Sequence, residues 1–183
     1  MAYDFKKLKE NIKGVEEWLK KEYTGLRTGV ASPAILDGVV VEVYGSHMPI
    51  NQLANIGIED ARVIRITPWD KSQAKAIEKA ITVAELGVSV GADDKGVRVF
   101  FPELTTERRG LLVKTAKAKL EDGKVNIRGH RDDTLKDIQT KEKEGEMGED
   151  DMFRSKEEMQ KIVDAGNAAL EVLFDKKEKE INS

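Results

Sequence analysis

The chain has 183 residues, of which 36% are charged and 39% hydrophobic, with a formal net charge of −3; this length allows one or two domains, and so much charge is unusual for a single compact globule. The absence of cysteine excludes disulfides, thiol catalysis and cysteine-based zinc sites, and it indicates a reducing compartment. No apolar run approaches the roughly 20 residues that span a bilayer, and residues 1–10 lack the apolar core of a signal peptide, so we expect a cytoplasmic protein with no membrane contact.

The N-terminal segment has the apolar spacing of a packed helix. Its apolar residues recur in steps of three and four, with one step skipped at Glu22: Phe5, Leu8, Ile12, Val15, Leu19 and Leu26. Such a helix cannot bury its apolar seam alone. We therefore expect other helices of the chain to cover it.

A β-rich segment follows the first helix. Short runs rich in β-branched residues predict three strands, at 38–44, 62–67 and 97–101. Residues 71–86 predict a helix closed by Gly87, and Gly45 is interpreted as a hairpin turn rather than as part of a serine nucleophile motif. The middle of the chain is therefore expected to be an α+β unit.

The C-terminal part returns to helical spacing. Thr105 or Thr106 is suited to cap a helix that would run to about Glu144, roughly 60 Å at 1.5 Å per residue. A last helix is predicted after Gly145 and Gly148. Its apolar seam consists of Met159, Ile162, Val163, Gly166, Leu170, Leu173 and Phe174.

These elements predict an α+β fold in two domains. Residues 1–29 and 105–183 would form an antiparallel three-helix bundle, and residues 30–104 a small β/α/β domain inserted into it. Both crossings between the domains carry glycine or proline, which is typical of a hinge, although two domains need two turns in any case. The hinge residues would be Gly29, Val30, Ala31, Ser32 and Pro33 on the way out, and Phe101, Pro102, Glu103, Leu104 and Thr105 on the way back.

Positive charge is concentrated in the first half of the long helix. Residues 108–131 contain eight basic residues against Glu121 and Asp122. At 100° per residue, an arc of roughly 60° holds four of them, which we call the basic stripe: Lys117, Lys124, Arg128 and Arg131. Such a row of cations suits neutralisation of nucleic-acid phosphates, which does not depend on the base sequence. The alternative is a solvated helix face that pairs with the acidic last helix.

His130, Asp132 and Asp133 are the residue types that could build a metal or acid–base site. Side chains at successive helical positions point in different directions, so the three are not expected to converge. Phosphate-cradling glycine loops and nucleophile elbows are also missing. We expect no catalytic residue, no metal and no enzymatic activity. Two other functions stay open: a helical adaptor that binds protein, and a hydrolase built on these three residues.

Long motifs along nearly the whole chain resemble the ribosome recycling factor family. They are LRTGVASPAILDG (26–38), PINQLANIGIEDAR (49–62), PWDKS (68–72), FPELTTERR (101–109), KVNIRGHRDD (124–133) and DKKEKEI (175–181). The resemblance implies an L-shaped monomer whose bundle lies across the A and P sites of the large ribosomal subunit after termination, while the small domain swings about the hinge. Elongation factor G with GTP then drives the subunits apart, so the chain itself would need no cofactor.

The resemblance also implies roles for individual arginines. Arg128 and Arg131 match arginines that contact ribosomal RNA, and Arg27 matches one near the hinge. The pair that opens the second helix of the bundle is matched by Arg108 and Arg109. Val30 and Asp132 stand where the family usually has basic residues, so two cations of the expected RNA-binding face are missing.

Overall fold

The computed structural model describes residues 3–183, which form two compact units. The helical unit contains the chain up to Tyr23 and Val113–Lys179, and the sheet unit contains Thr24–Leu112 and Glu180–Ser183. Long helices pack together in the first, and a small antiparallel sheet dominates the second. The α+β fold predicted from the sequence is therefore confirmed. Within residues 3–183, none of the helices combines the length and the apolar composition that crossing a membrane requires.

Helix α1 spans Lys6–Thr24 and buries the predicted apolar seam from Leu8 to Leu19. Leu26 was expected to continue this seam, and that expectation is wrong because the helix ends at Thr24. Tyr23, four residues after Leu19, takes the last position instead. Its ring is buried, and its hydroxyl donates a hydrogen bond of 2.8 Å to the carbonyl oxygen of Ala116.

Burial raises the pKa of Tyr23 from 10.0 to about 12. A group whose pKa is raised by folding contributes stability that is complete below its unfolded pKa and is lost as the pH rises through its folded pKa. We therefore expect the free energy of unfolding to fall between about pH 10 and about pH 12, and to fall less in Tyr23→Phe. Urea unfolding of both proteins at about pH 9 and about pH 11 measures this difference. Identical losses in the two proteins would contradict it.

A β-hairpin opens the strand region of the sheet unit. β1 (Val40–Val43) pairs antiparallel with β2 (Ser46–Pro49). The turn residues Tyr44 and Gly45 have φ values of 52° and 74°, the left-handed conformation that a type I′ hairpin turn needs at both central positions. The hairpin turn predicted at Gly45 is confirmed.

The main sheet has four antiparallel strands in the order β3-β4-β6-β5. Their bounds are Ala54–Asp60 for β3, Val63–Pro68 for β4, Ser89–Asp93 for β5 and Gly96–Phe100 for β6. The predicted strands at 62–67 and 97–101 correspond to β4 and β6. β2, β3 and β5 were not predicted, because they contain glycine, proline, asparagine, serine and acidic residues that are rare in strands.

One face of this sheet carries the core of the sheet unit. Helix α3 (Ala74–Val83) contributes Ile77 and Ile81, which are fully buried among residues of β4 and β6. The predicted helix at 71–86 is longer than α3, since Lys71–Gln73 form a 3-10 turn and the chain leaves the helix after Val83. A one-turn helix α2 (Ile50–Leu53) and a 3-10 turn at Pro33–Leu36 complete the unit.

Two long helices form the rest of the chain. α4 spans Thr106–Lys143, 38 residues or roughly 57 Å, and α5 spans Glu149–Asn182. The hydroxyl of Thr105 accepts the backbone N–H of Arg108 at 3.2 Å, so the predicted cap is confirmed.

The three helices run antiparallel in sequence order. For α1 and α4 this is shown by contacts at their two ends: Tyr23 meets Ala116 at one end, and the hydroxyl of Tyr3 donates to Asp137 at 2.6 Å at the other. For α4 and α5 it is shown by the order of the contacts, since Gly123 faces Leu170 whereas Ile127, further along α4, faces Gly166, which is earlier on α5. The helical unit therefore has the predicted antiparallel arrangement.

Two helical glycines should respond oppositely to an added methyl group. A Cβ atom on Gly166 would lie 2.6 Å from Cγ2 of Ile12, whereas one on Gly14 would have no neighbour within 4 Å. We expect Gly166→Ala to lower the free energy of unfolding by about 1–3 kcal/mol through overpacking. Gly14→Ala should raise it by up to about 1 kcal/mol, because alanine is the better helix former. Urea unfolding of the two variants checks the signs, and stabilisation by both would show that the packing at Gly166 is loose.

Candidate functional site

The basic stripe lies on α4 within the helical unit. Lys117 and Arg128 are exposed, whereas Lys124 and Arg131 are partly buried. Within residues 3–183, Lys117 and Arg128 make no side-chain hydrogen bond or ion pair. Both charges therefore face solvent without a carboxylate partner, which leaves them available to bind an anion such as a phosphate.

Lys124 is paired with the last helix. Its Nζ donates to Oε1 of Glu171 on α5 at 2.7 Å, and Oε1 of Glu121 lies 3.9 Å away. The hydrogen bond to Glu171 is the main reason that the pKa of Lys124 is raised. At this position the alternative anticipated from the sequence, pairing with the acidic last helix, does occur.

Arg131 is paired with its neighbour in the chain. Its Nε and Nη2 donate to Oδ1 of Asp132 at 3.0 and 2.7 Å. Two of the four stripe cations are thus held by carboxylates, and two are not.

The other candidate arginines lie in the sheet unit. Nη2 of Arg27 donates to the carbonyl oxygen of Pro102 at 2.6 Å, and Nη1 of Arg109 donates to that of Asn182 at 3.1 Å. The Nε atoms of both arginines are buried and have no hydrogen-bond partner within the described chain. Burial lowers the pKa of Arg27, and the charge of Arg108 lowers it further, so these two cations are close enough to repel one another. Arg27 and Arg109 thus hold backbone in place, while Arg108 is exposed.

On each crossing, a backbone hydrogen bond joins a predicted hinge residue to the turn between β3 and β4. The N–H of Ala31 donates to the carbonyl oxygen of Ala61, and the N–H of Phe101 donates to that of Arg62, both at 2.8 Å. The side chains of Ala31 and Phe101 are buried in the core of the unit. Arg62 also forms an ion pair with Glu103 at 2.6 Å.

The three residues of the hydrolase hypothesis point to different partners. Nδ1 of His130 lies 3.3 Å from Nδ2 of Asn11 on α1, Asp132 accepts from Arg131, and Asp133 is exposed. Over the described chain, residues 3–183, no group of three His, Cys, Asp or Glu side chains could hold a metal ion. The three side chains therefore do not share a site.

Glu171 and Glu22 were not predicted from the sequence as functional residues. Glu171 holds Lys124, and Glu22 of α1 accepts a hydrogen bond from Lys119, another basic residue of α4. Both pairs depend on how the helices align along each other, which charge spacing within one helix does not reveal.

Comparisons with known proteins identify the family of the chain. The family model described as ribosome recycling factor matches residues 19–181. A ribosome-recycling factor from Bradyrhizobium diazoefficiens is 45% identical over 179 residues, which cover 98% of this chain and 95% of the relative.

Two solved structures are also similar. A solution structure of a ribosome recycling factor superposes with a TM-score of 0.75 and 36% identity, covering 97% of this chain and 94% of that one. The T. thermophilus ribosome recycling factor, in models with E. coli elongation factor G bound to the E. coli post-termination complex, gives a TM-score of 0.66 and 37% identity over 97% and 96%. With a family model over residues 19–181 and close relatives over nearly its full length, the chain belongs to the ribosome recycling factor family.

Proposed function

We propose that this chain binds the post-termination ribosome and, with elongation factor G and GTP, promotes dissociation of the subunits so that they can be reused. Membership of the family supports this role, as does a similar structure that comes from models of a ribosome recycling factor and elongation factor G bound to a post-termination complex. Ribosome recycling factors are not enzymes, and GTP hydrolysis belongs to elongation factor G. The observation in this chain that carries the proposal is the basic stripe on a helix of 38 residues.

The proposed binding partner on the ribosome is the RNA of the large subunit. Lys117 and Arg128 would make the main phosphate contacts because no carboxylate of residues 3–183 pairs with them. Lys124 and Arg131 would contribute once a phosphate replaces Glu171 or Asp132. Arg108 would add an exposed cation where α4 begins. Arg27 and Arg109 are the remaining candidates. Their guanidinium groups bond to backbone carbonyl oxygens, which supports a role in holding the backbone in place in addition to any RNA contact.

The proposed domain boundaries assign residues 1–29 and 105–183 to RNA binding and residues 30–104 to a domain that moves about the two crossings. The backbone hydrogen bonds of Ala31 and Phe101 support pivots close to these two residues. The pivots would lie at Gly29 and Val30 on the first crossing and at residues 102–105 on the return crossing. The chain would act as a cytoplasmic monomer without a cofactor of its own.

Sedimentation with ribosomes across a salt series tests the proposed function. Binding through phosphates should weaken steeply as salt rises, because each neutralised phosphate releases counterions. A helical adaptor that binds protein through apolar positions would show a shallow salt dependence and would tolerate loss of Arg128. Failure to sediment with ribosomes at low salt, with or without elongation factor G and GTP, would refute the proposal.

A further inference from the structure

Paired and unpaired cations alternate along the basic stripe. In the part of the chain that the structure describes, Lys117 and Arg128 are unpaired, Lys124 is held by Glu171, and Arg131 is held by Asp132. Every second cation of the face that is proposed to bind RNA is therefore bonded to a carboxylate.

A carboxylate on such a face competes with phosphate. Both groups are anionic oxygen acceptors, and both accept charge-assisted hydrogen bonds from lysine and arginine. A phosphate that approaches Lys124 must displace Glu171 or share the ammonium with it, and it is repelled by the carboxylate in either case. The side chain of Glu171 is 58% exposed, so its pair lies where solvent screens it and where exchange is easy.

Folding stability is a poor explanation for these two pairs. Arg131 and Asp132 are neighbours in one helix, so their pair cannot fasten α4 to another helix. Glu171 does bridge to α4, but the next residue toward the N-terminus, Leu170, is fully buried against Gly123 and already holds the two helices together there. An exposed ion pair adds little to such a contact.

We propose that Glu171 and Asp132 set the affinity of the RNA-binding face by holding Lys124 and Arg131 in place of phosphate. The free protein then presents two cations that can bind phosphate directly and two whose carboxylate partner a phosphate must first replace. Binding is weaker, and dissociation faster, than four unpaired cations would give. This inference rests on the proposed function, and it adds two acidic residues to the determinants of the site.

The first test removes each carboxylate while keeping the shape of the side chain. Glu171→Gln and Asp132→Asn should each bind ribosomes about two- to fivefold more tightly at low salt, mainly through slower dissociation. Two controls make the same change of charge away from the stripe. They are Glu17→Gln on the exposed surface of α1 and Asp133→Asn, whose side chain is exposed and lies about 160° from Arg131 around α4. Tightening by the controls equal to that by the test variants would overturn the proposal, because net charge alone would then explain it.

The second test is a double-mutant cycle. Lys124→Ala should weaken ribosome binding about two- to fivefold more in the Glu171→Gln background than in the parent, because there the ammonium is released from Glu171 and keeps only the longer contact with Glu121. Equal losses in both backgrounds would overturn the proposal. Circular dichroism of every variant verifies that the helices are intact.

Arg128→Ala in the parent separates failure of this proposal from failure of the proposed function. It should weaken binding, since Arg128 has no carboxylate partner within residues 3–183. If it does so while Glu171→Gln and Asp132→Asn match their controls, RNA binding stands and the carboxylates have no part in it. If Arg128→Ala also has no effect, the RNA-binding face itself is refuted, and this proposal with it.

Discussion

Leu170→Ala should destabilise the helical unit by about 2–5 kcal/mol. Leu170 is 0% exposed, and its Cδ1 is 3.1 Å from the position of a Cβ on Gly123, so the side chain fills the narrow space between α4 and α5. Truncation removes buried methyl groups and leaves a cavity that long, regular helices cannot easily close. Val172, two residues away and 66% exposed, offers a matched control, because Val172→Ala should change stability by less than about 0.5 kcal/mol.

The same kind of truncation in the sheet unit tests whether the two units unfold separately. Ile66 is fully buried on β4, so Ile66→Ala should cost a similar amount. Hydrogen exchange read by mass spectrometry distinguishes the two regions. Leu170→Ala should speed exchange chiefly in peptides of α4 and α5, and Ile66→Ala chiefly in peptides of the sheet. Equal loss of protection everywhere in both variants would show one cooperative unit and would contradict the proposed domain boundaries.

Helices were the most predictable part of the fold, because each buries one apolar side with regular spacing. The seam of α5 appears in the sequence from Met159 to Phe174, and the structure buries or half-buries all its members. Tyr23 was missed because the step after Leu19 was placed at Glu22 and treated as skipped, with Leu26 as the next member of the seam. An aromatic ring can complete such a seam when its hydroxyl finds a partner, as it does at Ala116.

Strands were harder to predict, because neighbouring strands rather than local composition stabilise them. Gly57 on β3, Arg65 on β4, Arg98 on β6 and Gly91 on β5 lie in one row across the sheet. Neither glycine favours a strand by itself. The arginines of the row bind Glu59 and Asp93, which adds contacts between strands that only the folded register creates.

The positions of the stripe residues could be predicted from the sequence, whereas their partners could not. Helical geometry alone places Lys117 and Arg128 on one side of α4. The pairing of Lys124 with Glu171 depends on the alignment of two helices whose contact residues lie 47 positions apart. Arg131 and Asp132 are adjacent, and their pair could have been anticipated from the reach of an arginine side chain.

Reversal of the two unpaired charges, Lys117→Glu with Arg128→Glu, should weaken ribosome binding by about 100-fold or more at low salt. Each charge-assisted hydrogen bond to a phosphate is worth roughly 1.5–3 kcal/mol, which corresponds to about a ten- to hundredfold loss per residue. Repulsion between the new carboxylates and phosphate adds to this loss. The fold should survive, because both side chains are exposed and neither makes an ion pair within residues 3–183.

A charge-matched control distinguishes local contact from net charge. Lys7 and Lys21 are exposed on α1 and lie outside the stripe. Lys7→Glu with Lys21→Glu changes the net charge by the same amount and should weaken binding far less. Equal weakening by both double variants would mean that the stripe has no special role and that binding follows the overall field of the protein.

The separation of ribosomal subunits from post-termination complexes is the most direct measurement of the central claim. Light scattering after mixing with this chain, elongation factor G and GTP should fall as the subunits dissociate. It should stay constant when any one of the three is omitted, and also with the Lys117→Glu/Arg128→Glu variant at concentrations that saturate the parent. No dissociation with all three components present, or equal dissociation without the chain, would contradict the assignment of this protein to ribosome recycling.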